Sequence, residues 1–296
     1  MQNKLQQRYY HLMMMPGVVL LIIFNIIPMF GLILAFQKFV PAKGVFGSSF
    51  VGLYNFKLLF MYSAAKQAIL NTLIIASAKI VLGVIVPVSF AVLLNEVKSV
   101  FFKRTVQTII YLPNFLSWVI LAIMFNNIFS YNGIANKFIA LFNAEPQLFM
   151  VSNRYFRQIL IGTDVWKTFG YGAIIYLAAI TTIDPNMYEA AAIDGAGRWR
   201  RIFHIVLPSI APIVVLMTLL SLGNILNAGF DQVYNMYSTL VYETGDIIDT
   251  YVYRMGLEKL QYSFGTAVGL FKSVVSFILL ASAYKLAQHF TDYSFF

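Results

Sequence analysis

Apolar residues fall into six long runs separated by polar stretches. Leu12 to Gln37 carries no charge, Gln67 to Asn95 carries only Lys79, and Thr105 to Asn136 carries none. Phe156 to Ile183 holds Arg157, Asp164 and Lys167 near its start and then runs uncharged; Ile205 to Phe230 is charge-free, and Leu260 to Tyr284 contains only Lys272. Each run exceeds the ~20 residues a helix needs to cross hydrocarbon. The pattern predicts an all-α polytopic membrane protein, one transmembrane domain over residues 1–296, with spans near 14–36, 68–94, 107–129, 158–181, 210–230 and 264–286. Six spans put both termini on one side. The first run is too long for the apolar core of a signal peptide and no small-residue cleavage site follows it, so it reads as a retained anchor.

Composition supports lipid as the main solvent. Hydrophobic residues make up 59% of the 296 and charged residues 11%, against roughly 25% charged in a soluble domain. The mean hydropathy is +0.74. The charge balance, 21 Lys+Arg against 12 Asp+Glu, gives +9. In a lipid-embedded chain this suits anionic headgroups rather than nucleic acid. The absence of Cys removes disulfides, thiolate metal sites and Cys nucleophiles. His11, His204 and His289 have no ligand spacing, so no metal site is expected.

Charge alone leaves the orientation open. The N-terminus, the second and fourth loops and the tail hold nine basic residues, and the other three loops also hold nine. The clusters Lys98–Arg104 and Arg198–Arg201 lie beside helix ends and favour the first set inside. The connections near 37–66, 131–157 and 231–262 are long and rich in Gly, Asn and Tyr. The tyrosines of the last, Tyr234, Tyr237, Tyr242, Tyr251, Tyr253 and Tyr262, read as an interfacial belt before they read as a binding surface.

The fourth loop, 182–208, carries the most information. Asp184-Pro185 is a helix start, with Asp as N-cap and Pro at the first helical position. Ala190, Ala191 and Ala192 favour helix, and Asp194-Gly195-Ala196-Gly197 breaks it because glycine tolerates left-handed backbone. Arg198 to Val206 resumes as a basic amphipathic piece, and Leu207-Pro208 and Pro212 lead into the fifth span. A small Ala face flanked by Glu189 and Asp194 suits docking of another protein; an amphipathic helix lying among headgroups is the equal alternative.

Glu189-Ala190-Ala191, three residues, Gly195, nine residues, then Ile205-Val206-Leu207-Pro208 resembles in full the EAA signature of ABC importer permeases, the membrane subunits of binding-protein-dependent uptake systems. The resemblance implies the type I importer permease fold and a cytoplasmic coupling helix docked on a separate ATPase, with Glu189, Ala190, Ala191, Asp194, Gly195, Ile205, Leu207 and Pro208 as the coupling residues. Both termini would then be cytoplasmic, in a bacterial plasma membrane. Tyr111-Leu112-Pro113-Asn114, Asn132 to Asn136, Phe230-Asp231-Gln232-Val233 with Tyr242-Glu243-Thr244, Asp249 to Arg254 and Gly265 to Leu270 are similar to the maltose-permease type of carbohydrate permeases. Within that type they look most like the lipoprotein-associated polysaccharide and oligosaccharide permeases of Gram-positive bacteria. The larger maltose-type subunits carry additional N-terminal spans and an external domain, so contacts of that domain are not carried over.

The resemblance implies a second homologous permease as partner, a separate gene product or another copy of this chain. It further implies two copies of a cytoplasmic ABC ATPase, an extracellular lipid-anchored binding protein and an oligosaccharide substrate. No cofactor is expected on this chain. There is no Gly-Lys dipeptide for a phosphate-binding loop, so ATP and magnesium are expected on the partner ATPase. A membrane-embedded enzyme or scaffold of envelope polysaccharide synthesis, using loop 231–262, is the rival class. An ion-driven carrier is a third, disfavoured by the lack of an inverted repeat.

Ionisable groups within spans are functional candidates because they are costly in hydrocarbon. Asp164 and Lys167 are three residues apart and are expected to pair. Lys79 has no evident partner, so snorkelling or contact with the partner permease is expected, and Lys272 is similar. Ser221, Asn224, Asn227 and Asp231 recur at helical spacing and predict a polar stripe on the fifth span, read as substrate path over interhelical bonding. Asn114 and Trp118, four residues apart in the third span, form a further substrate-path candidate, an amide beside an aromatic platform.

Overall fold

A computed structural model describes residues 4–290, the side chains of 4–6, 283 and 286–290 excepted. Lys4 and His289 thus lie outside the described side chains. The chain divides into two compact units: residues 1–63 with 252–273, and residues 64–251 with 274–296.

In the first unit, α1 (Lys4–Leu21) runs through a π-helical turn at Ile22–Ile26 and a 3-10 turn to Phe36. The helix begins well before the expected residue 14. Only 6% of its most apolar window is buried within the chain, which fits a helix whose surface is meant for lipid or another protein. A two-stranded antiparallel ribbon follows, β1 (Gln37–Lys38) against β2 (Ser49–Phe50), with Gln37 opposite Phe50. Buried Asn55 pins the ribbon by donating to the carbonyls of Ala35 and Gln37, both at 2.9 Å.

The second unit is built on α2 (Ser63–Asn95), α3 (Val100–Tyr111), α4 (Trp118–Ile128) and α5 (Phe156–Thr181), then α6 (Pro185–Ile193), α7 (Leu207–Leu222) and α8 (Phe230–Met236). The last long helix, α9 (Tyr262–Phe290), starts in the first unit and ends in the second.

Two apolar clusters hold this unit. In one, Ile75 and Ala76 of α2 meet Leu121 and Phe125 of α4, Phe156 and Leu160 of α5, and Val233 and Met236 of α8. In the other, Ala91 and Val92 at the far end of α2 meet Ala173, Tyr176 and Ile180 of α5 and Ile202, Ile205, Val206 and Ile210. Close van der Waals packing between helices makes these clusters the frame of the unit. Between α3 and α5 the approach is so close that a Cβ on Gly170 would overlap the Ile110 carbonyl, the small-residue packing common between membrane helices.

The expected spans need three corrections. Among the described residues four helices are long and apolar enough to cross a membrane: Gln7–Phe36, Ser63–Asn95, Arg198–Leu222 and Tyr262–Ser282. The third expected span is not one helix. Val100–Phe115 and Trp118–Ile128 are bent by 103°, and counting the pair as one span makes five. Pro113 and the Ser117 N-cap explain the break, because proline cannot continue the ladder and Ser117 Oγ accepts from Ile120 N to start a new helix. The fourth, α5, has the length, but Arg157, Asp164 and Lys167 fill its first half. The fifth starts earlier and ends earlier than 210–230: Arg198–Arg201 continues through a π turn at Ile202–Val206 straight into α7, and the helix stops at Leu222. That π turn precedes Leu207-Pro208, as Ile22–Ile26 precedes Ile27-Pro28. In both, the wider turn accommodates a residue that lacks an N–H.

Candidate functional site

The 184–208 segment forms as its residues require. Asp184 caps α6 through a bond from Asn186 N at 2.9 Å, with Pro185 at the first helical position. The helix ends in a Schellman motif: Ala196 N donates to Ala191 O at 2.8 Å, Gly195 N donates to Ala192 O at 3.1 Å, and Gly195 takes φ +69°. Glu189, Ala190, Asp194 and Gly195 are exposed and Ala191 is half-buried. Ile205 lies in the second apolar cluster, while Leu207 packs against it and Pro208 is exposed. The motif therefore has an exposed half and a buried half, joined through the turn from Gly195 to Gly197.

Exposed apolar groups flank that half, Ile193 at 86% and the stacked pair Trp199–Phe203. Behind it, Arg198 Nε lies 2.9 Å from Glu96 Oε2. The Tyr188 hydroxyl is buried without a hydrogen-bond partner. Burial, and then the nearby Glu96 carboxylate, push its pKa up, opposed by Arg201.

The intramembrane charges pair otherwise than expected. Asp164 meets Lys79 at 3.2 Å, and Lys167 does not hold it as an ion pair. Lys79 is not a snorkelling residue: its ammonium also donates to Ala228 O at 2.7 Å and to Gln232 Oε1. Gln232, fully buried, passes the network on to Leu160 O at 2.7 Å and Thr163 Oγ1 at 2.8 Å. Sequence reasoning missed Gln232; an amide three residues into a short helix, next to Asp231, was the available signal.

Lys167 has another task. Its ammonium donates to the carbonyls of Asn114 at 2.6 Å and Pro113 at 3.4 Å, and lies 5.8 Å from the Trp118 ring centroid. It thus satisfies the Asn114 carbonyl at the 103° bend, while the Pro113 carbonyl also accepts from Leu116 N at 3.2 Å. Asn114 and Trp118 do not share a helix face, since the break falls between them; they are brought together around Lys167.

The polar stripe is not helical either, because α7 ends at Leu222, residues 223–226 form turns and 227–229 have no regular structure. Yet Ser221, Asn224 and Asn227 do converge. With Ala76, Lys79, Ile80, Gly83, Asp164, Ala228 and Gly229 they line an open cavity of about 270 Å³. Asp231 lies outside that lining and is exposed.

Loop 231–251 is pinned rather than free. Fully buried Asn71 donates to Glu243 O and Asp246 O, both at 3.0 Å, and Arg157 Nη2 donates to Asn71 Oδ1 at 2.9 Å. Of the expected tyrosine belt, Tyr251 is instead in the core at 3% exposure, and the rings of Tyr234, Tyr237 and Tyr242 follow one another at centroid distances of 6.1 and 5.1 Å. Lys272 is half-buried.

The pattern of the family described as "Binding-protein-dependent transport system inner membrane component" matches residues 79–292, from Lys79 of the cavity to the last long helix. The chain belongs to this family. It is 40% identical to the polygalacturonan/rhamnogalacturonan transport system permease protein YteP of Bacillus subtilis (strain 168), over 97% of this chain and 90% of that one. To protein LplB of the same organism it is 39% identical over 98% and 92%. Among solved structures, a bacterial ABC transporter involved in the import of the acidic polysaccharide alginate aligns with a TM-score of 0.90 and 34% identity, covering 97% of both chains. The permease fold expected from the EAA signature is thus shown, and with it a membrane-embedded subunit of an ABC importer.

Proposed function

We propose that this permease moves an oligosaccharide or polysaccharide fragment through a path it shares with a second, homologous permease. Two ABC ATPases, which carry ATP and magnesium, dock on the exposed half of the 184–208 segment of each permease, and a lipid-anchored extracellular binding protein delivers the sugar. Both termini and α6 then face the cytoplasm. No ATPase site is assigned to this chain.

The observation that carries the reading is the split character of the motif. Glu189, Ala190 and Asp194 are presented to a partner on a helix capped at both ends, while Ile205 and Val206 are locked among α2 and α5. A push on α6 is therefore transmitted to the helices that line the cavity. The sugar assignment is supported by the polysaccharide named for YteP and for the alginate importer. It is also supported by a cavity of amides, hydroxyl and carboxylate, which suits hydroxyl-rich substrates. We assign Asn114, Trp118, Ser221, Asn224 and Asn227 to the path; Asp231 would act at its rim.

The test is Glu189→Lys in the complete complex. Coupled uptake and substrate-stimulated ATP hydrolysis are expected to vanish while membrane insertion persists. Normal transport by a well-assembled variant would overturn the coupling assignment, and turnover of a polysaccharide precursor by the isolated chain would favour an enzyme instead.

A further inference from the structure

We infer that the cavity between α2, α5 and the 223–229 segment reads the hydroxyls of a neutral oligosaccharide and rejects uronic acid units, with Asp164 as its central acceptor; this rests on the oligosaccharide reading above. The decisive feature is the state of its cation. A lysine ammonium has three N–H donors. In Lys79 all three are taken, by Asp164 Oδ1, Gln232 Oε1 and Ala228 O. Among the described residues Lys79 is the only cationic one in the lining. A uronate carboxylate entering the cavity would find no free ammonium from this chain and would lie beside the Asp164 carboxylate. That like-charge approach is unfavourable.

Hydroxyls meet the opposite situation. A carboxylate offers two oxygens with about four acceptor sites, and the Lys79 bond uses one oxygen of Asp164, whose side chain remains 23% exposed. Asn224 and Asn227 add exposed carboxamides able to donate and accept, and Ser221, whose hydroxyl donates to Met217 O at 2.8 Å, presents its oxygen as acceptor. Gly83, with nothing within 4 Å of where a Cβ would stand, leaves open space in the lining. The site is polar, net neutral and acceptor-rich, unlike a site built for the acidic polymers named for the relatives above.

Saturation-transfer difference NMR on the complete complex in nanodiscs, without binding protein, tests this with two probes, a neutral galactopentaose and a pentagalacturonate. The neutral probe is expected to give saturation transfer at least tenfold above the uronate. Asn224→Ala and Asn227→Ala, which leave the ion pair intact, are expected to lower the neutral signal severalfold. Asp164→Asn, which frees Lys79 from its carboxylate, is expected to lower the neutral signal and raise the uronate signal. Equal or stronger transfer to the uronate in the unaltered complex overturns the inference while leaving the sugar-permease reading in place. So do unchanged neutral signals in both Asn variants. Silence from both probes in a complex that still hydrolyses ATP counts against the oligosaccharide reading itself, and the inference falls with it.

Discussion

Arg198 Nε donates to Glu96 Oε2 at 2.9 Å, tying the residue that follows α2 to the first turn of the helix that leads into α7. With Arg198 54% exposed, the pair adds little to stability; its value is geometric, because it fixes the base of the Gly195 turn. Glu96→Arg is expected to lower substrate-stimulated ATP hydrolysis with little change in thermal stability. The swap Glu96→Arg with Arg198→Glu is expected to restore much of the coupling. Hydrolysis measured in proteoliposomes for the single and double variants checks this; equal loss in both would make the pair irrelevant.

Tyr188 carries a buried hydroxyl with no partner, next to Glu96. A buried unsatisfied polar group costs about 1–3 kcal/mol, so Tyr188→Phe is expected to stabilise the complex by roughly 1 kcal/mol, read as a rise in melting temperature. The same environment raises the phenol's pKa above its ordinary value of 10.0. The neutral phenol is therefore favoured in the fold, so its contribution is fully present below pH ~10 and is lost only as pH rises through the higher folded value. The tyrosinate absorbance difference between the unaltered protein and Tyr188→Phe should appear only above the ordinary phenol range.

Local signals in the 184–208 segment were legible because each is short-range. Asp184-Pro185 starts a helix and Gly195 ends one whatever surrounds them. The helix breaks at Leu116-Ser117 and after Leu222 were not, because hydropathy averages over ~19 residues and cannot see that Lys167 compensates the first. Ser221, Asn224 and Asn227 were picked for a helical stripe that does not exist, yet they meet in one cavity, since turns can gather what a helix would also have gathered. The partner of Lys79 was invisible for a different reason: Asp164 and Gln232 are 85 and 153 residues away along the chain, and Asp164 had a nearer cation in Lys167.

The Lys79–Asp164 pair, with side chains 10% and 23% exposed, separates stability from function. Removing one partner leaves a largely buried charge, which typically costs about 3–5 kcal/mol. Lys79→Met is therefore expected to lower the yield of folded complex sharply. Lys79→Met with Asp164→Leu removes both charges, and well-packed apolar replacements of buried pairs are often neutral. Because Gln232 Oε1 and Ala228 O also lose their Lys79 donor, the double variant is expected to regain only part of the stability and still fail to transport. A double variant that transports normally would show that the cavity does not need Asp164.

Lys167 offers a separate test of the bend. Its ammonium satisfies the carbonyl of Asn114 at 2.6 Å and lies near the Trp118 ring. Lys167→Met leaves that carbonyl without its donor and is expected to destabilise by about 1–3 kcal/mol, whereas Lys167→Arg retains charged donors and should lose less. In a Trp166→Phe, Trp199→Phe background, Trp118 is the remaining tryptophan of the chain's three. Its emission in the purified chain should shift on Lys167→Met, through loss of the adjacent cation, and shift little on Lys167→Arg. A Met variant with unchanged stability and emission would mean that the 103° bend holds without Lys167, through Pro113 and the Ser117 cap alone.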